Sequence, residues 1–316
     1  MKKFMKVCAI TVAVILAVGV LLLTIGGCGG GFKRLSRQIW NGELNFTPSH
    51  VTEWFGNWVW DEDWDTYDLD ANTLFDSSYD VIRNEGSFRT VFGAEEISSM
   101  ELGLAGCEVQ IETSPDEFYY VSAEKISAFQ TYVRGGTLYV KGVKTGKWNM
   151  GNVMVVTIQI PEGTVFDDAE LSLGAGKFTI GSLQADDMEI NLGAGKLEAD
   201  YLKADKFTCT AGAGQILIDK AEFANDVEIS VGAGEVILSA SIPGDLHAEC
   251  GMGNMEITIF GSTEQEHNYK MECAAGNLTA GSRSVSGLAA EQNIDNGAAS
   301  DYDLECAMGN LTVRFR

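Results

Sequence analysis

Apolar and polar residues alternate along much of this chain, and the alternation recurs at a fixed spacing. Leu-Ser-Leu-Gly-Ala-Gly-Lys-Phe-Thr-Ile begins at Leu171, and a second copy begins at Ile190, 19 residues later. Cys209 opens the next copy after another 19, Ile229 after 20 and Ala248 after 19. Looser copies start at Met271 and Leu304, after 23 and 33 residues, and a degenerate copy runs from Leu102 to Ile111. A period of two marks strands with one face turned to a core. Four inward columns are predicted. The first holds Leu171, Ile190, Cys209, Ile229, Ala248, Met271 and Leu304; the second holds Leu173, Leu192, Ala211, Val231, Cys250, Cys273 and Cys306. Beyond the glycines come Phe178, Leu197, Ile216, Val236, Met255, Leu278 and Leu311, then Ile180, Ala199, Ile218, Leu238, Ile257, Ala280 and Val313.

Between the two strands of each copy the chain must bend, and glycine reaches φ > 0 at no steric cost. The turn glycines are Gly174 and Gly176, Gly193 and Gly195, Gly212 and Gly214, Gly232 and Gly234, and Gly251 and Gly253. The residue between each pair is expected to point inward as a fifth column: Ala175, Ala194, Ala213, Ala233, Met252, Ala275 and Met308. A unit with two short strands and two turns cannot bury its apolar face alone, so the units must stack, with strands about 4.8 Å apart. The predicted fold is all-β: a single-stranded β-helix, or β-solenoid, of about 19-residue coils, preceded by an N-terminal transmembrane helix. A nucleotide loop is excluded. Thr179 stands where a dinucleotide fingerprint needs its third glycine, and Phe178 follows Lys177 where a phosphate loop needs Ser or Thr.

These copies, from about Ile97 to Phe315, resemble a bacterial family of β-strand-repeat proteins provisionally called adhesins, a domain of unknown function. The membrane-proximal Arg37-Gln-Ile-Trp-Asn-Gly42 also looks like members from Gram-positive bacteria. The resemblance implies a β-helical fold and an envelope location, and some relatives are associated with envelope-stress regulation. The 23- and 33-residue spacings and the cysteine-rich second column depart from the family pattern.

Val7 to Ile25 is free of charge over 19 positions. As a helix it would span about 28 Å, close to the hydrocarbon thickness of a bilayer. Lys2, Lys3 and Lys6 favour a cytoplasmic N-terminus, opposed by Lys33, Arg34 and Arg37 on the far side. The alternative is a lipobox, Ile25-Gly-Gly-Cys28, with Cys28 lipidated. Either reading tethers the rest of the chain, outside the cytoplasm, to a cell membrane. The expected layout is a membrane anchor at 1–31, a juxtamembrane helix at 32–42, a Trp-rich acidic region or cap at 43–96 and the solenoid at 97–316. Beyond position 37 the chain has 16 basic and 45 acidic residues, a formal charge of −29. That charge repels phosphate backbones and argues against nucleic acid as a partner.

Candidate chemistry is sparse. Trp40, Trp54, Trp58, Trp60 and Trp64, beside Asp61, Glu62, Asp63 and Asp65, read as a cap or as an aromatic platform for a glycan. A calcium loop there lacks its glycine, at Thr66, and its closing Glu, at Asn72. Cys107, Cys209, Cys250, Cys273 and Cys306 read as reduced core residues. Three of them share one column, within disulfide range of one another if their coils are adjacent. His50, His247 and His267 fall in turn-like segments without a paired nucleophile. The recurring Asp186, Asp187, Asp205 and Asp226 read as turn formers and solubilisers. Arg314 and Arg316 would place charge on the final strand and discourage end-to-end stacking. No metal, cofactor or catalytic residue is expected. The leading expectation is a non-enzymatic surface scaffold or adhesin-like binding module facing an envelope protein or glycan. The alternatives are an accessory protein in envelope-stress sensing and, third, a polysaccharide-acting enzyme on a β-helix.

Overall fold

The computed structural model describes residues 74–93, 97–144, 153–287 and 289–316. The expected anchor, with its helix and Cys28, lies outside the described residues, as do the juxtamembrane helix, the tryptophan cluster and His50. Among the described residues no helix is long and apolar enough to cross a membrane, and the strands form one β-solenoid sheet.

Parallel, in-register pairing follows from the repeat itself. When every coil carries its apolar residues at the same positions, a slip of one residue would turn a whole strand's core face to water. Ile216 accordingly pairs with Leu197 on one side and Val236 on the other, and Ile229 stands between Cys209 and Ala248. The degenerate early copy is in register too, with Leu102 against Leu171 and Val109 against Phe178. Every residue of the four predicted columns is buried. Each large apolar side chain in them contributes roughly 1.5–3 kcal/mol.

Four successive coils have a further inward pair that the ten-residue motif does not contain: Leu183 and Ala185, Leu202 and Ala204, Ala221 and Phe223, Ala240 and Ile242. The chain stays extended through it, so that Phe166–Ala211 is one continuous strand. The Asp-containing turns expected after Leu183 and Leu202 are therefore strand residues here, with Asp186, Asp187 and Asp205 on the outside.

At the corner the structure corrects the expected fifth column. Ala175, Ala213, Ala233, Met252 and Ala275 are exposed and Ala194 and Met308 half-buried, so the central residue points outward. The reason is the closeness of successive corners. A Cβ built on Gly234 or Gly253 would run into the carbonyl oxygen of Gly214 or Gly234 in the neighbouring coil. The inward side of the corner has room for backbone alone, and the residue with a side chain is turned away from it. Positive φ is confined, among the ten turn glycines, to Gly176 (151°) and Gly195 (138°). At Gly193, Gly212, Gly214, Gly234, Gly251 and Gly253 it is the close approach of the neighbouring coil's backbone that requires glycine.

The ends depart from the order of the chain. Leu246–Cys250 pairs with Ser300–Cys306, and His267–Cys273 lies on the far side of Ser300–Cys306. The last coil in sequence is thus inserted between the two that precede it. The longer 23- and 33-residue spacings supply the chain for this detour. Arg283–Ser286 and Ala290–Ile294 fold back antiparallel on the outer coil before the chain returns. The final strand, Asn310–Phe315, is paired on both sides, to Asn254–Ile259 and Asn277–Ala280. Arg314 and Arg316 therefore do not guard an open edge; Arg314 forms an ion pair with Glu256. Antiparallel strands end the stack instead.

The other end repeats the device. Ser99–Ala105 lies between Phe166–Ala211 and Thr137–Val143, and Cys107–Thr113 lies between Phe166–Ala211 and Met154–Ile160. Ala128–Arg134 turns back antiparallel to Thr137–Val143 through Gly135 and Gly136, at φ 61° and 88°. Phe118–Glu124 is antiparallel to both Met154–Ile160 and Ser87–Gly93. Residues 74–80 cross the outer face here as a strap. Buried Gln130 accepts from Asp76 N at 2.9 Å and donates to Asp76 O at 2.7 Å and Tyr79 O at 2.9 Å. Leu74 and Phe75 close a small second core with Ala105, Ala128 and Val143.

Candidate functional site

Outward residues of the stack form ladders, because in-register coils place equivalent side chains about 4.8 Å apart. Two of these ladders concentrate carboxylates on the same strand layer. Near the C-terminal end Glu249, Glu305 and Glu272 stand side by side on three adjacent coils. Lys270 is the cation among them, 2.9 Å from Asp303, 3.2 Å from Glu272 and 3.9 Å from Glu305. Burial pushes the Glu305 carboxyl up, and the like charges of Asp303, Glu249 and Glu272 add to it. Burial pulls the Lys270 ammonium down, but its bonds to Asp303 and Glu272 outweigh this and hold it above its ordinary value.

The second ladder lies near the N-terminal end. Glu101 pairs in register with Glu170, and Lys141 reaches Glu101 at 2.9 Å. Burial raises the Glu170 carboxyl, with Glu101 and Glu189 contributing like charge. Beside it Tyr79, Tyr132 and Tyr139 stack at centroid distances of 3.9 and 4.8 Å, capped by the Arg134 guanidinium. Between the two acidic ladders the layer carries Thr208, Glu228 and His247 in register. The adjoining layer is more neutral: Gln215, Glu235, Asn254, Asn310 and Asn277 follow one another, with Asn277 donating to Asn310 at 3.0 Å.

Among the described residues no group of three His, Cys, Asp or Glu is placed to hold a metal ion. A shallow recess of about 520 Å³ opens at the C-terminal end beside Ser262, Glu264, Arg314 and Phe315. Its carboxylate is already engaged: Glu264 accepts from Ser282 N at 2.7 Å and Ser282 Oγ at 2.8 Å, which hold it below its ordinary value.

His267, expected in a turn, instead opens a strand and is buried. Ser262 Oγ lies 2.8 Å from Nε2 and Ser300 Oγ 2.6 Å from Nδ1, while the ring stacks on Tyr302 at 4.1 Å. Burial holds its pKa below the ordinary value. The unfolded chain then takes up this proton first as pH falls, so stability drops below about pH 6.5 until the folded-state value is reached. A series of melts from pH 8 to pH 5 should show the loss, and His267→Gln should blunt it. The raised carboxyls of Glu170 and Glu305 act oppositely, favouring the fold as they protonate at lower pH. Equal slopes in wild type and variant would remove His267 from the account. His247 faces outward on Leu246–Cys250, opposite Glu228 and Asp303.

The five described cysteines are free and buried. Burial pushes Cys107 and Cys209 up to about 12, which makes them inert core residues.

The stacked coils lie within the stretch matched by a known family. Its model, Toastrack DUF4097, matches residues 97–312. The chain belongs to the Toastrack family. No curated protein matches it. Solved structures similar to this Toastrack chain include a protein of Parabacteroides distasonis provisionally named an adhesin. It is 14% identical, with 74% of this chain and 99% of that chain covered and a TM-score of 0.42. Another so named, from Parabacteroides merdae, is 14% identical over 74% and 98%, with a TM-score of 0.38. A third, from Parabacteroides distasonis and provisionally named a lipid binding protein, is 17% identical over 74% and 98%, at 0.36.

Proposed function

We propose that this Toastrack chain is a membrane-tethered, extracytoplasmic binding module, adhesin-like and non-catalytic, whose acidic outer ladders contact an envelope protein or glycan. The observation that carries this is the in-register row of Glu249, Glu305 and Glu272 on a stack of buried columns. Carboxylates held side by side repel one another and cost stability, by up to about 1 kcal/mol for a cross-strand pair. A positively charged or hydroxyl-rich partner would relieve that repulsion at several points at once, and the rigid register would fix the spacing of those points. The apolar stretch at Val7 to Ile25 supplies the tether and the side of the membrane.

The test is capture of envelope proteins and glycans by the full chain in mild detergent. Wild type is compared with the triple variant Glu249→Gln, Glu272→Gln, Glu305→Gln. Capture should fall by roughly tenfold while the thermal midpoint stays level or rises, because like charges have been removed. Equal capture by both proteins, or capture by neither, defeats the reading.

A further inference from the structure

Three of the described thiols are brought together by the inserted coil. Cys306 pairs in register with Cys250 on one side and Cys273 on the other. Cys250 Sγ is turned to the last coil and donates to Asn310 O at 3.6 Å. Glycine corners hold the sulfurs in place: a Cβ on Gly309 would stand 2.9 Å from Cys250 Sγ, and one on Gly276 2.8 Å from Cys306 Sγ. In-register parallel neighbours have Cα atoms about 4.8 Å apart, inside the range a disulfide spans.

We propose that Cys250 and Cys306 form an oxidisable pair whose disulfide locks the inserted last coil to the coil it covers, leaving Cys273 as a thiol. The chemistry is exchange with a low-molecular-weight disulfide before the last coil closes, since the sulfurs are buried once it has. The Cys250 thiolate attacks one sulfur of the reagent, the reagent's S–S bond breaks, and one thiolate leaves and takes up a proton. Cys306 then gives up its proton and attacks Cys250 Sγ, expelling the second reagent thiol. Two protein thiols are oxidised and one disulfide is reduced to two thiols. Either thiol can open the exchange, because the contact between the two sulfurs forms only when the last coil closes. The bond would close a loop running from residue 250 to residue 306, and long loops gain most from cross-linking.

The experiment refolds the full chain with oxidised or reduced glutathione, alkylates it under denaturing conditions and maps the peptides by mass spectrometry. The oxidised sample should yield a linked pair containing Cys250 and Cys306, with Cys273 alkylated. Its thermal midpoint should be higher by on the order of 5–10 °C than that of the reduced sample. Cys273→Ser should leave the link intact and Cys250→Ser should abolish it. Because peptide mapping of the wild type needs no variant to fold, it decides alone. A Cys273–Cys306 link, glutathione adducts without a link, or full alkylation overturns the proposal.

Discussion

Gly253→Ala is expected to lower the thermal midpoint by roughly 6–12 °C, although it adds only a methyl group. The new Cβ would run into the carbonyl oxygen of Gly234, which already accepts from Asn254 N at 3.0 Å. It would also stand 2.9 Å from Val231 Cγ1. Relief requires the backbone of one coil to move from its neighbour, which disturbs a ladder hydrogen bond, so the cost should reach about 3 kcal/mol, the upper end of overpacking. The adjacent central residue behaves differently. Met252 is 43% exposed, and Met252→Ala should change stability by no more than about 0.5 kcal/mol. Differential scanning calorimetry on both variants reads the contrast. Equal midpoints would mean that the corners are slack and that glycine serves some other purpose there.

That pair of residues also shows where the chain was legible as a sequence and where it was not. The columns could be read because a translational repeat makes burial at one position imply burial at its equivalents, and register follows from the pattern. The direction of the corner residue could not, since it depends on the distance between backbones in different coils. Gly-Ala-Gly is equally compatible with a tight turn of either sense. The inserted end coils were hidden for a related reason. Irregular spacings before Met271 and Leu304 signal extra chain but not which coil it skips. A sharper signal was present in Gly135-Gly136 and Gly281-Ser282, two-residue turns that reverse the chain between strands. Gln130 was a further sign. A long polar side chain at a fully buried strand position must satisfy its hydrogen bonds, and the strap at 74–80 satisfies them.

The outer face was partly legible too. Alternation assigned Glu249, Glu272 and Glu305 to the outside, but placing them together required the inserted coil, which puts Glu305 between the other two. The same insertion puts Cys306 between Cys250 and Cys273 and turns three spaced cysteines into neighbours. His267 was expected in a turn-like segment, yet the short 3-10 turn at Glu264–Glu266 ends where a strand with an inward histidine begins.

Ile218→Asp should abolish the cooperative melt altogether, and it bears on the core directly. Ile218 is 2% exposed and stacks in register between Ala199 and Leu238. The substitution removes roughly 1.5–3 kcal/mol of apolar burial. It also puts a carboxylate among aliphatic side chains, where an uncompensated charge costs a further 3–5 kcal/mol. Together these approach or exceed the total margin of about 5–15 kcal/mol typical of a folded domain. Stacking spreads the damage, because a coil that cannot close leaves the coils on both sides without a partner face. Ile218→Val keeps the shape and should cost only about 0.5–1.5 kcal/mol. Circular dichroism melts of the two variants separate these outcomes, and a wild-type melt for Ile218→Asp would mean that the columns do not hold the coils together.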